Sequence, residues 1–184
     1  MSTILSRLDA FRAKIQEADF LSNKGLSNEV GMYIFAYQPD DEMAVRRFLS
    51  ELKEKQTCPR VMMFDLYDIL MDICRERRIL DRIPAMEIQR GSAFVMGQIQ
   101  RIATPEAYIE RMKYQPHQYG DVVIITGIGR VYPYMRSHNI LNNLQHVFED
   151  IPVVLFYPGE YTGQSLTLFN DFADDNYYRA FNLL

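Results

Sequence analysis

The chain has 184 residues, enough for one domain with a full core. Apolar residues make up 48% and charged residues 24%, and no apolar run approaches the roughly 20 residues that cross a bilayer, so a membrane span is excluded. A net charge of −4 argues against gripping duplex DNA by overall charge, since such proteins commonly neutralise about 6–10 phosphates, although a local patch stays open.

The first nine residues carry charge where a signal peptide needs its apolar centre, so a cytoplasmic protein is expected. Cys58 and Cys74 form no C-x-x-C motif and no framework of bridges, which suits a reducing compartment. From Ser2 to Glu17, Leu5, Leu8, Phe11 and Ile15 recur at spacings of three and four and predict a helix with one apolar stripe. Ser22 to Asn28 breaks it. Val30 to Tyr37 is apolar almost throughout, as in a strand covered on both faces. Gln38-Pro39-Asp40-Asp41 turns the chain, and Asp40 or Asp41 suits the cap of a helix bearing Val45, Phe48, Leu49 and Leu52. Pro59 closes that segment. Val61 to Phe64 predicts a short strand, and Asp65 precedes a helix striped by Leu66, Ile69, Leu70 and Ile73.

The stretch from Arg75 to Gly120 reads as helical and charged. Thr104-Pro105-Glu106 has the order of an N-cap, a first-turn proline and an acid at the positive helix end. Tyr114 to Gly120 is a loop. Val122 to Thr126 and Pro152 to Tyr157 are two more buried strands. Ile140, Leu141, Leu144, Val147 and Phe148 make a helix face between them. Ser165 to Asn170 alternates like a strand, Asp174 to Asn176 turns, and Tyr177 to Leu184 forms a last strand or a docked tail. The alternation predicts an α/β fold: a single three-layer domain over residues 1–184, with a mostly parallel sheet of four to six strands flanked by helices. Its ligand ledge lies beyond the carboxyl ends of the strands, at Gln38 to Asp41, Asp65, Thr126 to Arg130 and Tyr157 to Tyr161.

That ledge lacks a nucleotide motif. No G-x-x-x-x-G-K-[ST] loop is present, and the turn after the first long strand has no glycine and two acids. The G-x-G of Gly127 and Gly129 meets Tyr132 where a dinucleotide fingerprint needs its third glycine. Two readings of these glycines stand: a sharp turn needing positive φ, or a small anion-binding turn of backbone N–H groups helped by Arg130 and Arg136. Asp65 reads as a helix cap or as a magnesium ligand at a strand end. His117, His138 and His146 have no metal spacing, and adjacent Ser137 and His138 do not face each other on a helix. Glu160 has no visible acid–base partner. Arg75, Arg77, Arg78 and Arg82 gather where a helix should end, which complements its dipole or offers a patch to an acidic partner. No catalytic residue, cofactor or metal is expected.

Several long motifs point to one family. They are G-I-G-R-V-Y-P-Y-M-R-S-H-N-I-L-N-N-L, V-V-L-F-Y-P-G-E-Y-T-G-Q-S-L-T-L-F and D-D-N-Y-Y-R-A-F, with F-L-S-N-K-G-L-S-N-E-V-G-M-Y-I-F and F-D-L-Y-D-I-L nearer the start. The chain resembles the BrxB family of BREX bacteriophage-exclusion systems nearly end to end, least distinctly from Arg75 to Tyr119. The resemblance implies a small, non-enzymatic component of a phage-defence complex that binds other BREX proteins, the ATPase BrxC and PglZ. It supplies no catalytic residues. Strand order alone also admits a degenerate P-loop-like core, by analogy. Tyrosine and arginine dominate interface hot spots, so the expected partner contacts are Arg130, Tyr132, Tyr134, Arg136, His138, Glu160, Tyr161, Gln164, Tyr177, Tyr178 and Arg179. The alternative is a nucleic-acid-binding accessory subunit using the Arg130 to Arg136 patch, where charge and rings interleave.

Overall fold

The computed structural model describes residues 3–22, 31–54, 59–144, 146–174 and 180–184. Four parallel strands form its centre: β1 (Met32–Tyr37), β2 (Arg60–Asp65), β3 (Asp121–Thr126) and β4 (Val153–Tyr161). β5 (Leu166–Leu168) and β6 (Phe172–Asp174) follow as an antiparallel extension of β4. β7 (Phe181–Asn182) lies parallel to β1 on its outer side. The order is β2-β3-β4-β1-β7, so the parallel path falls within the strand number expected and the hairpin extends it.

The apolar runs are continuous because both faces of the sheet are covered. Side chains alternate between two cores. Val122, Ile124, Val154, Phe156, Phe35 and Tyr37 face α1 (Ile4–Lys14), α2 (Ala18–Leu21) and α3 (Glu42–Glu54). Val123, Ile125, Val153, Leu155, Tyr157 and Ile34 face the other layer. That layer holds α4 (Leu66–Glu76), α5 (Ile83–Arg90), α6 (Ser92–Ile102), α7 (Pro105–Met112), α8 (Ile128–Val131) and α9 (Ser137–Leu144). The first core is built on phenylalanines. Phe156 stacks on Phe35 at 4.7 Å between centroids and meets the edge of Phe11 at 5.1 Å. Phe11 in turn meets Phe48 at 5.9 Å. Such ring pairs add roughly 0.5–1.5 kcal/mol each beyond the area they bury.

Two polar devices fix local structure, one at the start of α7 and one at the start of β3. Thr104 accepts the Ala107 N–H, as its position before Pro105 predicts. Asp121, 1% exposed, opens β3 and binds Arg60 at the start of β2 through two hydrogen bonds of 2.7 and 2.6 Å. It also accepts the Tyr114 hydroxyl and the Gln118 N–H, both at 3.0 Å, so one carboxylate ties the 114–120 loop to the sheet. Burial pushes the Asp121 carboxyl up, but the bonds from Arg60, Gln118 and Tyr114 outweigh it and hold the group below its ordinary value.

Some local expectations shift. Leu5 is 64% exposed, because the first helix runs past the sheet and only Leu8, Phe11 and Ile15 stay covered. Asp40 and Asp41 belong to a 3-10 turn that runs straight into α3. The helix bearing Ile140, Leu141 and Leu144 ends at Leu144, so Val147 and Phe148 reach the core from a turn, and His146 lies beyond the helix. Asp174 ends β6. Cys58 lies outside the described residues, and Cys74 is free and buried.

Two outcomes test this packing. Phe156→Ala removes the ring that joins α1 to the sheet, and urea unfolding should show a loss of roughly 3–5 kcal/mol. Asp121→Asn removes a depressed carboxyl. Its contribution is fully present above the unfolded value, about 4, and is lost as pH falls through the lower folded value. The variant should therefore be less stable than the parent at neutral pH, and the gap should close in acid.

Candidate functional site

β2 and β3 end side by side, with Asp65 opposite Thr126. Asp65 caps α4: its Oδ1 accepts the Tyr67 N–H at 2.9 Å and the Asp68 N–H at 3.2 Å. The other oxygen accepts the Thr126 hydroxyl at 3.2 Å and an N–H of Arg130 from α8. Arg130 also lies 3.7 Å from Asp68 and rests its guanidinium over the Tyr67 ring at 4.9 Å. One carboxylate thus receives four donors from three elements. Both sequence readings of Asp65 place it here, and the cap is present. Its oxygens are already occupied by the protein's own donors, and a magnesium ion would have to displace them.

Gly127 makes this approach possible. Its φ of 79° is left-handed, and a Cβ there would strike Asp65, 2.9 Å from Cγ. Gly129 works differently. It has no positive φ, but a Cβ would meet the Phe169 ring at 2.7 Å and Pro158 at 3.2 Å. The first glycine fits α8 to the end of β2, and the second fits it to the β4–β5 hairpin. The positive-φ reading therefore holds for Gly127 alone. Of the two arginines that would help an anion-binding turn, Arg130 is directed at Asp65, and Arg136 lines the hollow beside the hairpin.

The neighbouring crevice, about 380 Å³, runs between α3 and α4 past Tyr37, Glu42, Thr126 and Arg130. Tyr37 donates to Glu42 at 2.6 Å, and burial together with that bond raises its pKa, so it stays a neutral phenol. The turn after β1 is Gln38 to Asp41, with no glycine to wrap a phosphate.

A second hollow, about 280 Å³, lies beside the hairpin. Tyr132, Arg136 and Phe172 form its walls, and Ile128, Tyr157 and Leu168 its floor. Tyr132 meets Phe172 at 5.2 Å, which brings the connection after β3 against β6. Phe172 is 46% exposed and Phe169 is 38% exposed. Tyr134 and Arg136 border a further depression with Gln100 and Thr104. The structure thus brings Tyr132, Tyr134 and Arg136 together, with His138 half-buried on α9 nearby in sequence. Arg130 lines the Asp65 crevice, whereas Arg136 lines the hairpin hollow. Glu160 and Gln164 are exposed on the hairpin. Tyr161 is tied inward, donating to the Ala180 carbonyl at 2.6 Å. Tyr177, Tyr178 and Arg179 lie outside the described residues. Sequence reasoning passed over Phe169 and Phe172, because a lone phenylalanine in an alternating strand reads as core. Among the described residues no group of three or more His, Cys, Asp or Glu is placed to hold a metal ion. No helix among them is long and apolar enough to cross a membrane.

The model of the family described as BREX protein BrxB matches residues 62–183, which include Asp65, Arg130 and the hairpin but not the Tyr37 and Glu42 side of the crevice. A BREX protein BrxB of Bacillus cereus is 39% identical over 190 residues, covering 100% of this chain and 99% of its own. The chain belongs to the BrxB family. A second relative, BREX protein BrxB of Escherichia coli, is 31% identical over 180 residues, covering 97% of this chain and 90% of its own. No solved structure matches. Membership makes the chain a component of a phage-defence system of the BREX type.

Gly127→Ala should destabilise the fold by more than its backbone conformation alone requires. Its φ of 79° is left-handed, which costs an alanine about 1 kcal/mol, and the added Cβ would also meet the Asp65 carboxylate. Thermal unfolding should therefore show a smaller loss for Gly127→Ala in an Asp65→Ala background than in the parent; equal losses in the two backgrounds would mean that the Asp65 contact contributes nothing.

Proposed function

We propose that the chain is a non-enzymatic adaptor of a BREX complex, working in the cytoplasm and gripping other BREX proteins, the ATPase BrxC and PglZ. The observation that carries this reading is the hollow walled by Tyr132, Arg136 and Phe172. It presents a tyrosine, an arginine and a half-exposed phenylalanine, drawn from segments some forty residues apart, around an apolar floor. Those side-chain types supply most interface hot spots, where one truncation costs about 2 kcal/mol or more. The neighbouring strand ends support the same reading. Where an α/β enzyme holds its ligand, Asp65 and Arg130 bind each other. Gln38 to Asp41 then leaves a phosphate without a cradle.

Co-precipitation from cells expressing the whole system tests it. Tagged chain should recover the ATPase or PglZ. Tyr132→Ala with Phe172→Ala should cut recovery about tenfold or more, the effect of roughly 1.4 kcal/mol or more of binding. Arg136→Glu should do the same by reversing the charge at the rim. Recovery of neither protein, or recovery unaffected by these substitutions, would refute the adaptor.

A further inference from the structure

The largest of the cavities described lies at the other end of the sheet. It measures about 620 Å³ and opens beside the first residues of β2. Pro59, Arg60, Val61 and Met62 line it in succession. It also touches Gln118 to Asp121 before and at the start of β3, so it opens at the amino ends of the two strands, with Val61 and Met62 carrying it along β2. The edge of β2 is open: among the described residues β2 pairs only with β3. The Arg60 N–H is spent on the Gly120 carbonyl toward β3. By alternation Val61 and Met63 turn their N–H and C=O groups outward. Both side chains are half-buried.

The charge lining this cavity is mostly basic. Arg12, Lys53 and Arg60 line the cavity, with Asp121 as the acid. Asp121 is taken by Arg60 in a bidentate pair. Arg12 and Lys53 have no ion pair among the described residues. Arg12 lies over the Phe48 ring at 4.9 Å, and its Nε is buried without a hydrogen-bond partner. Ile15, Leu52 and Val61 supply an apolar floor, and Tyr119, 75% exposed, stands at the rim. The cavity's one acid is thus already engaged, and these two cations have no acid among the residues that line it.

We propose that the open edge of β2 and the basic cavity beside it dock an extended acidic segment of a partner protein, which adds as a further strand. Main-chain groups of Val61 and Met63 bind the segment's backbone, and its carboxylates meet Arg12 and Lys53. Nucleic acid fits less well, because two unmatched cations fall short of the roughly 6–10 phosphate contacts of a typical binder. A second copy also fits less well, because the acids at the far end of β2 are already engaged: Asp65 by Arg130, Asp72 by Arg75 and Glu42 by Arg46. This surface is separate from the hairpin hollow, so either can fail without the other.

The test uses the full chain and fluorescence anisotropy at low salt. The probes are labelled peptides of about ten residues, one alternating Glu with Val and one alternating Lys with Val, and an oligothymidylate of similar length. The Glu–Val peptide should bind best. Lys53→Glu, on an exposed side chain, should weaken it about tenfold or more. Val61→Pro should do the same, because it removes an outward N–H while leaving the β2–β3 ladder whole. Both losses are required in variants whose circular dichroism and unfolding match the parent. If Val61→Pro does not fold, Lys53→Glu decides. Failure of all probes, equal binding of the Lys–Val peptide, preference for the oligothymidylate, or folded variants that bind as the parent does would each overturn the proposal. So would light scattering that finds a dimer dissociated by Val61→Pro, which would assign the edge to a second copy.

Discussion

A single carboxylate holds the carboxyl edge of this protein together. Asp65 ends β2, caps α4, accepts the Thr126 hydroxyl from β3 and binds Arg130 of α8. A half-buried carboxylate without donors would be costly, and here every donor comes from the chain itself. The consequences run outward from it. Gly127 must be glycine for the carboxylate to come so close, and α8 then starts directly over the end of β2. Gly129 on the same short helix admits the Phe169 ring, which brings the hairpin onto the edge. The hollow beside Tyr132 and Phe172 follows from that placement.

In the proposed reading, an α/β fold with its ledge in the usual place serves as a docking surface. Open sheets gather ligands where strands end, because loops from several strands converge there. In this chain the convergent groups satisfy one another. What stays outward are rings and an arginine around an apolar hollow and, at the opposite end, a strand edge and two cations that have no partner among the described residues. A small component with surfaces at both ends of its sheet suits a chain whose relatives, in two distant bacteria, are both BREX proteins.

Much of the fold was legible in the sequence. The strands stand out because burial on both faces makes their apolar runs continuous, as in Val122 to Ile125. Asp65 and Thr104 stand out because a cap needs only its own turn. Pairing across the sheet is another matter. Arg130 meets Asp65 from 65 residues away, and no local pattern encodes the strand order that brings them together. For the same reason the sequence does not show that Arg130 lines the Asp65 crevice while Arg136, six positions on, lines the hairpin hollow. The burial of Asp121 has no local signal, because it rests on donors from Arg60, Tyr114 and Gln118. Gly129 gave a turn signal for a reason that lies elsewhere, in a ring forty residues on.

Calorimetric titration of the intact chain with magnesium ATP, and separately with inorganic phosphate, bears most directly on whether the strand ends are closed by their own groups. With Asp65 and Arg130 engaged, neither ligand should give saturable heat. Stoichiometric binding of magnesium ATP that Asp65→Asn abolishes would show that the carboxylate serves a ligand, and the adaptor reading would give way to a nucleotide-dependent one.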